Sequence, residues 1–432
     1  MIKNDIGFYT VEGKHFSNKY DAVLEAQLTN VKVEWNFFDD IFNNVDWLTE
    51  PELSLDQYYR IRAEQIRNAY DYVIVFCSGG ADSTNVIKTF INNGIKVDEV
   101  IGIAPMSGLK NWDYNPSNVA DLNIISETKF ALLPLLDELT TKNNIKVTLY
   151  DFFDDAMQYK DEEWTFDGAG NIVTALTPHF TNVDSIPHIN KIIESGKRVA
   201  LVYGTDKPII KATVNGELYF ILSDGGVNYL NMPDSRTNPN VDRVLFYWTP
   251  ELPEMLVKQA HIVSRIVQTP EFNEIYQNDV LLNEQELRLT GASYQDVINY
   301  HQRNNREALS KADIFKKHTI GKKEYSIATK LTSYRSIYQR AIVPYIYPST
   351  YTKNLWQSQK IDIKEGFFTR DQDWVHILHP DTKISQMILA GTKMMYDSIK
   401  PEYLNYKGTG FNNINKLYKI GTITKTILGN NF

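Results

Sequence analysis

Short, largely apolar runs recur through the middle of the chain, separated by longer stretches with helical spacing. Such a run is typical of a strand that is buried on both faces of a parallel sheet. Between the first two runs, Val86, Ile87 and Phe90 recur on one helix face. The alternation of strands with helices predicts an α/β fold with a parallel sheet. The predicted strands are 72–77, 97–103, 145–150, 197–203 and 244–248, with helices at 118–141 and 185–195 among them.

The pattern changes on both sides of this region, which divides the chain into three predicted domains. Residues 1–70 read as a small α+β module, with strands at 6–11 and 31–37 and helices at 17–28 and 54–67. Residues 71–269 hold the predicted sheet, a hairpin near 209–222 and a helix at 250–267; the Asn-Gly pair at 215–216 is a strong hairpin signal. Residues 270–432 read as mainly helical, with helices near 284–290, 293–317, 326–341 and 382–399.

Composition describes a globular chain without membrane spans. Of its 432 residues 43% are hydrophobic and 23% charged, and no apolar run approaches the length of a spanning helix. The amino terminus lacks a signal-peptide pattern, so we expect a cytoplasmic protein with no membrane partner. Net charge is −8, but residues 310–432 carry 19 Lys/Arg against 9 Asp/Glu, a local balance of +10. This asymmetry fits an anionic substrate, and a solvated lysine-rich surface explains it equally well.

The chemistry of the sequence is concentrated in one turn, Ser78-Gly-Gly-Ala-Asp-Ser83, which follows the first central strand and precedes a helix. Adjacent glycines let a phosphate approach the backbone, and the N–H groups of a helix N-terminus point at it. The turn lacks the Gly-Lys-Ser/Thr of a Walker loop and the glycine spacing of a dinucleotide fingerprint. It therefore predicts a phosphate site of another kind.

The run Ser78-Gly-Gly-Ala-Asp-Ser83, in its strand–turn–helix context, resembles the PP-loop of the N-type ATP pyrophosphatase superfamily. The resemblance covers about residues 71–210. It implies a doubly wound parallel sheet, ATP and Mg²⁺ as cofactors, and cleavage of ATP to AMP and pyrophosphate, which adenylates an acceptor oxygen.

The resemblance also implies roles for particular residues. Metal binding is expected of Asp82 and Asp206, and a catalytic role of Asp82. Of the candidate catalytic lysines, Lys207 or Lys211 is expected to neutralise the charge that builds on pyrophosphate. The nucleotide-binding residues that the resemblance implies are Ser78, Gly79, Gly80, Ala81, Ser83 and Thr84 in the loop, Ile103, Ala104 and Met106 beside the adenine, and Gly204 and Thr205 after a later strand.

Cysteine usage limits which nucleophile can attack the adenylate in such a reaction. Cys77 is the only cysteine, which excludes the branches of the superfamily that need several cysteines for sulfur transfer or zinc. Residue 2 is isoleucine, so a built-in glutaminase with an N-terminal cysteine is excluded. Attack by an amine or by ammonia remains, with a small-molecule or nucleotide-like acceptor and an ammonia-donating partner as expected partners. Two alternatives stay open: an enzyme that modifies a base of tRNA or DNA, and an inactive nucleotide-binding regulatory protein.

Overall fold

The computed structural model describes residues 6–17, 19–104, 132–151, 186–205, 207–213, 216–224, 227, 239–269, 342, 345–347, 404–405, 410–411 and 414–423. The helices predicted between 284 and 399 lie outside these ranges. No helix in the described part of the chain is both long enough and apolar enough to cross a membrane.

A five-stranded parallel sheet forms the centre of the protein, as the apolar runs predict. Its strands are β4 (Tyr72–Cys77), β5 (Glu99–Ala104), β6 (Lys146–Asp151), β7 (Val199–Tyr203) and β10 (Val241–Leu245). Their spatial order is β10-β7-β4-β5-β6, and each neighbouring pair is parallel. The chain builds outward from β4 through β5 and β6, and then crosses to the other side of β4 for β7 and β10.

Helices precede and connect these strands; of the helix predicted at 118–141, only residues 132–141 lie within the described part of the chain. Helix α3 (Leu55–Ala69) begins with a capping box between Ser54 and Gln57 and leads into β4. Helix α4 (Ala81–Asn92) follows β4 directly. Three further helices are α5 (Leu133–Asn143), α6 (Pro187–Glu194) and α7 (Pro253–Val267). Each of these three has a proline in its first turn, where the missing N–H is not needed by the helix.

The N-terminal module is α+β, as its alternating pattern predicts. Strands β1 (Phe8–Val11), β2 (Lys14–Phe16) and β3 (Glu34–Asn36) form an antiparallel sheet in the order β2-β1-β3. Helix α1 (Lys19–Thr29) contacts β1, and a short helix α2 (Asp39–Phe42) follows β3. Strand β2 was not predicted, because its three residues, Lys14-His-Phe16, show no alternation long enough to recognise.

The predicted hairpin forms, but it belongs to a three-stranded sheet. Strands β8 (Ile209–Ala212) and β9 (Glu217–Ser223) pair antiparallel, and β13 (Asn415–Thr422) pairs with the other edge of β9. A small ladder of β11 (Leu404–Asn405) and β12 (Gly410–Phe411) precedes it. Of the residues described beyond position 270, 342 and 345–346 are helical, and β11, β12 and β13 are strands. Pairing across some 190 residues leaves no local signal in the sequence.

A buried ion pair, with its hydrogen bonds, connects the N-terminal module to the three-stranded sheet of β8, β9 and β13. Asp224 accepts an ion pair from Lys19 at 2.7 Å, a hydrogen bond from the Tyr9 hydroxyl at 3.1 Å and one from the backbone N–H of Ile414 at 2.9 Å. Asp224 and Lys19 are both fully buried. The first residue of α1, the end of β9 and the start of β13 thus meet at one carboxylate.

Candidate functional site

The glycine turn lies at the carboxyl end of β4, the middle strand of the sheet. Gly79 has φ +87°, which a side chain would strain, and a Cβ there would lie 2.6 Å from the backbone nitrogen of Leu132. The Ser78 hydroxyl accepts a hydrogen bond from the N–H of Gly80 at 3.3 Å. Position 79 therefore requires glycine, and the side-chain oxygen at position 78 supports the turn.

The first turn of α4 presents its backbone N–H groups at the same place. Gly80 is the N-cap and has no capping side chain; its carbonyl accepts from the N–H and hydroxyl of Thr84 at 3.1 and 2.8 Å. The Ser83 hydroxyl also donates to this carbonyl, at 3.3 Å. Among the described residues, the N–H groups of Ala81, Asp82 and Ser83 have no backbone acceptor. An anion is the natural partner for them.

The end of β7 forms the second wall of the site. Gly204 follows β7, and a Cβ on it would lie 2.9 Å from the carbonyl of Asp82 and 3.0 Å from the nitrogen of Ser83. Because β4 and β7 are neighbours whose connections leave in opposite directions, their carboxyl ends mark a topological switch point. Parallel α/β sheets bind ligands at such points.

Asp82 is the charged centre of this crevice. Lys207, from the segment after β7, forms a short ion pair with Oδ2 of Asp82. The hydroxyl of Tyr347 donates to Oδ1 at 2.5 Å. The side chain of Asp82 is 22% exposed, whereas Tyr347 is fully buried and Lys207 nearly so. The carboxylate is thus held between a cation and a neutral donor.

Three buried tyrosines, Tyr59, Tyr247 and Tyr347, pack together beside Asp82. The hydroxyl of Tyr247 donates to the backbone carbonyl of Asp82 at 3.0 Å and accepts from the amide of Asn85 at 2.9 Å. Its ring lies 5.1 Å from that of Tyr347 and 5.6 Å from that of Tyr59. Burial, and next the nearby Asp82 carboxylate, raises the pKa of Tyr347 well above its ordinary value. The Tyr347 hydroxyl is therefore a donor, never an anion, at physiological pH.

Most of the predicted site residues come together here, and some lie elsewhere. Ile103 and Ala104 are buried at the carboxyl end of β5, beside β4. Lys211 is on β8, opposite Tyr219 in the register, so Lys207 is the predicted lysine that contacts Asp82. Met106 and Asp206 lie outside the described residues. Thr205 follows Gly204 at the end of β7.

The site residues that sequence reasoning missed are Tyr347, Tyr247 and Asn85. Asn85 stands one turn after the loop, yet its position gives no hint that it faces a tyrosine. Tyr347 lies 265 residues from Asp82 along the chain. No local pattern could have connected them, because aromatic residues are common and only the tertiary fold brings these together.

The residues present fit a magnesium ion held partly by phosphate. The described residues contain no cluster of three or more Asp, Glu, His or Cys side chains able to hold a metal on their own. Mg²⁺ commonly binds through one or two carboxylates together with substrate phosphates. Asp82, partly exposed beside open N–H groups, is a suitable carboxylate for such a shared site.

A second charged cluster lies at the opposite end of the parallel strands, near their amino ends. Glu99, fully buried at the start of β5, accepts from Tyr72 at 2.9 Å, Thr148 at 2.5 Å, Lys146 at 3.0 Å and His188 at 2.8 Å. Burial raises the pKa of the Glu99 carboxyl, but these donors outweigh burial and hold the pKa below its ordinary value. This cluster joins strands and does not face the candidate site.

The fold and the site together define a parallel α/β protein with a glycine turn and a helix N-terminus at its switch point. Comparison of the chain with protein-family models, with the sequences of curated proteins and with solved structures found no match.

Proposed function

We propose that the chain is an AMP-forming ATP pyrophosphatase that adenylates an acceptor oxygen, which a nitrogen nucleophile then replaces. The observation that carries the proposal is the Ser78–Ser83 turn at the end of the middle strand, with open N–H groups of α4 behind it. The strand order supports a doubly wound sheet of the PP-loop type, because the connections diverge at β4 and β7.

In the proposed reaction the turn and the first turn of α4 hold the β- and γ-phosphates. The acceptor oxygen attacks the α-phosphorus, and the bond from that phosphorus to the α,β-bridging oxygen breaks. The electron pair of that bond leaves with pyrophosphate. The nitrogen nucleophile then adds to the carbon that carries the adenylate, AMP departs with its bonding electrons, and the nitrogen loses a proton.

Two charged side chains suit this chemistry. Lys207 places its ammonium group beside the loop, where it can offset the charge that builds on departing pyrophosphate. Asp82 would hold Mg²⁺, which when bound neutralises phosphate charge. Positioning and electrostatics supply most of the rate in reactions of this class.

The alternative of a nucleic-acid modifying enzyme rests on the basic balance of residues 310–432. In the described part of that region, Lys416 pairs with Asp39 at 2.6 Å and Lys419 with Glu217 at 2.5 Å. These two lysines neutralise acidic residues of the protein itself. We therefore favour a small-molecule or nucleotide-like acceptor, with ammonia supplied free or by a partner.

The proposal predicts ATP-dependent release of pyrophosphate that needs Asp82. Pyrophosphate release is measured with Mg²⁺, ammonium and a panel of carboxylic acids and nucleobases as acceptors. We expect Asp82→Asn to lower the rate by about 100-fold or more, the loss typical of removing one electrostatic group from a transition state. The matched control, Asp40→Asn, changes an exposed aspartate in the N-terminal module and should leave the rate unchanged.

The outcomes separate the three functional hypotheses. Failure of the parent protein to bind ATP would overturn the proposal. ATP binding without pyrophosphate release would favour the inactive regulatory alternative. Salt-sensitive binding of tRNA or DNA, with release only in its presence, would favour base modification.

A further inference from the structure

A short segment from the C-terminal third of the chain reaches the candidate site. Ile342, Ile346 and Tyr347 are fully buried, while Tyr345 is 59% exposed. The hydroxyl of Tyr59, itself buried on α3, donates to the backbone carbonyl of Ile346. This anchor holds the segment so that the next residue, Tyr347, faces Asp82.

The two partners of the Asp82 carboxylate differ in kind. Lys207 is a cation on a flexible stem, and it occupies the side of the carboxylate at Oδ2, where a metal cation would also be attracted. Tyr347 is a neutral donor at Oδ1, fixed by its contact with the ring of Tyr247. A bound cation would thus replace the ammonium group of Lys207 and leave the tyrosine in place.

We infer that Tyr347 is a positioning residue that orients the Asp82 carboxylate for Mg²⁺, while Lys207 substitutes for the cation until Mg²⁺ and pyrophosphate enter. The inference rests on the proposed function. It assigns part of the site to the C-terminal third of the chain. Carboxylates that bind metals are themselves held by hydrogen bonds, and loss of such an outer partner commonly costs 10- to 100-fold in metal affinity.

The test measures the Mg²⁺ dependence of pyrophosphate binding by calorimetry, so that no turnover is required. Tyr347→Phe removes one oxygen and keeps the ring. We expect it to raise the Mg²⁺ concentration for half-maximal binding by about tenfold, with pyrophosphate affinity in the absence of Mg²⁺ unchanged. In an Asp82→Asn background the same substitution should have no further effect, since the coupling needs the carboxylate.

Tyr72→Phe is the matched control, because it removes a tyrosine hydroxyl at the amino end of β4, away from the candidate site. It should leave the Mg²⁺ dependence unchanged. An unchanged or lower Mg²⁺ requirement in Tyr347→Phe would overturn the inference, the latter by showing that the hydroxyl competes with the cation. Failure of Tyr347→Phe to fold would assign the hydroxyl a structural role and overturn it too. If the parent binds no pyrophosphate at any Mg²⁺ concentration, the proposed function itself fails.

Discussion

At the scale of single residues, Gly204 permits the close approach on which the site depends. The atoms that a Cβ at this position would meet belong to the backbone of Asp82 and Ser83, which cannot rotate out of the way as a side chain can. Alanine would therefore force the end of β7 away from the first turn of α4. The same separation would displace Lys207, which follows three residues later and pairs with Asp82.

We predict that Gly204→Ala destabilises the protein by about 1–3 kcal/mol and weakens ATP binding at least tenfold. Urea unfolding and ATP titration measure the two effects. Gly196→Ala is a useful comparison, since φ there is +81° and a Cβ would meet nothing within 4 Å. It should cost a similar 1–2 kcal/mol of strain without changing ATP affinity. Equal ATP affinities in both variants would contradict a role for Gly204 in the site.

The strand, turn and helix around the loop could be predicted from the sequence because they are local features. Strand, turn and helix are consecutive, and the glycines at 79 and 80 directly indicate a close backbone approach. The choice of Lys207 over Lys211 could not be predicted, because both follow β7 and only the direction of the hairpin separates them. Tyr347 was unpredictable for the reason that its contacts are entirely non-local.

At the scale of secondary-structure elements, Glu99 connects the parallel strands near their amino ends. Its donors come from the first residue of β4, from β6 and from the first turn of α6. A fully buried carboxylate would be costly without them. With four donors it links three adjacent strands and one helix at a distance from the candidate site.

We predict that Glu99→Gln destabilises the protein by about 2–3 kcal/mol at pH 7, through weaker hydrogen bonds from its charged and polar partners. The folded-state pKa of Glu99 lies below the ordinary value of 4.5. Its charge therefore contributes stability above about pH 4.5, and that contribution is lost as the pH falls through the lower folded-state pKa. Urea unfolding at pH 7, 5 and 3.5 should show the difference between parent and variant shrinking.

The exposed Glu194 in α6 provides the control for this experiment. Glu194→Gln removes the same charge at the surface of the same helix and should change stability by less than about 0.5 kcal/mol at any of these pH values. A deficit of Glu99→Gln that stays constant from pH 7 to 3.5 would show that packing, and not charge, is what the variant loses.

Element types were predictable where the hydrophobic pattern is clear, either as a continuous apolar run or as one period. The parallel strands, the hairpin and α3 follow the sequence, with ends that shift by a few residues; the last strand of the parallel sheet is Val241–Leu245 against the predicted 244–248. The pairing of β13 with β9 could not be predicted, because the pattern of a strand does not say which strand it pairs with.

At the scale of the whole molecule, opposite charges from distant parts of the chain meet. Lys19 and Asp224 pair in the interior, and Lys416 pairs with Asp39 near the ring of Trp35. The N-terminal module thus contacts a lysine, Lys416, of the basic C-terminal third. Part of the charge asymmetry seen in the sequence is neutralised within the fold.

We predict that Asp224→Ala destabilises the protein by about 3–5 kcal/mol, because it leaves the ammonium group of Lys19 buried without its counter-ion. The double variant Lys19→Met, Asp224→Leu should recover a substantial part of this loss, since no unpaired charge remains. Guanidinium unfolding of the parent, the single variant and the double variant measures the recovery. A double variant less stable than Asp224→Ala would show that the contacts of Asp224 stabilise the fold through hydrogen bonds more than through charge.

Two contacts join early and late parts of the chain: β9 pairs with β13, and Asp82 contacts Tyr347. Both depend on residues that are synthesised late in translation. A ribosome adds about 5–20 residues per second, so the 265 residues between Asp82 and Tyr347 take roughly 15–50 seconds to synthesise. During that interval the nascent chain can complete the parallel sheet while one edge of β9 still awaits its partner. The glycine turn is therefore translated long before the tyrosine that contacts Asp82, and a nascent chain would complete this candidate site only late in translation.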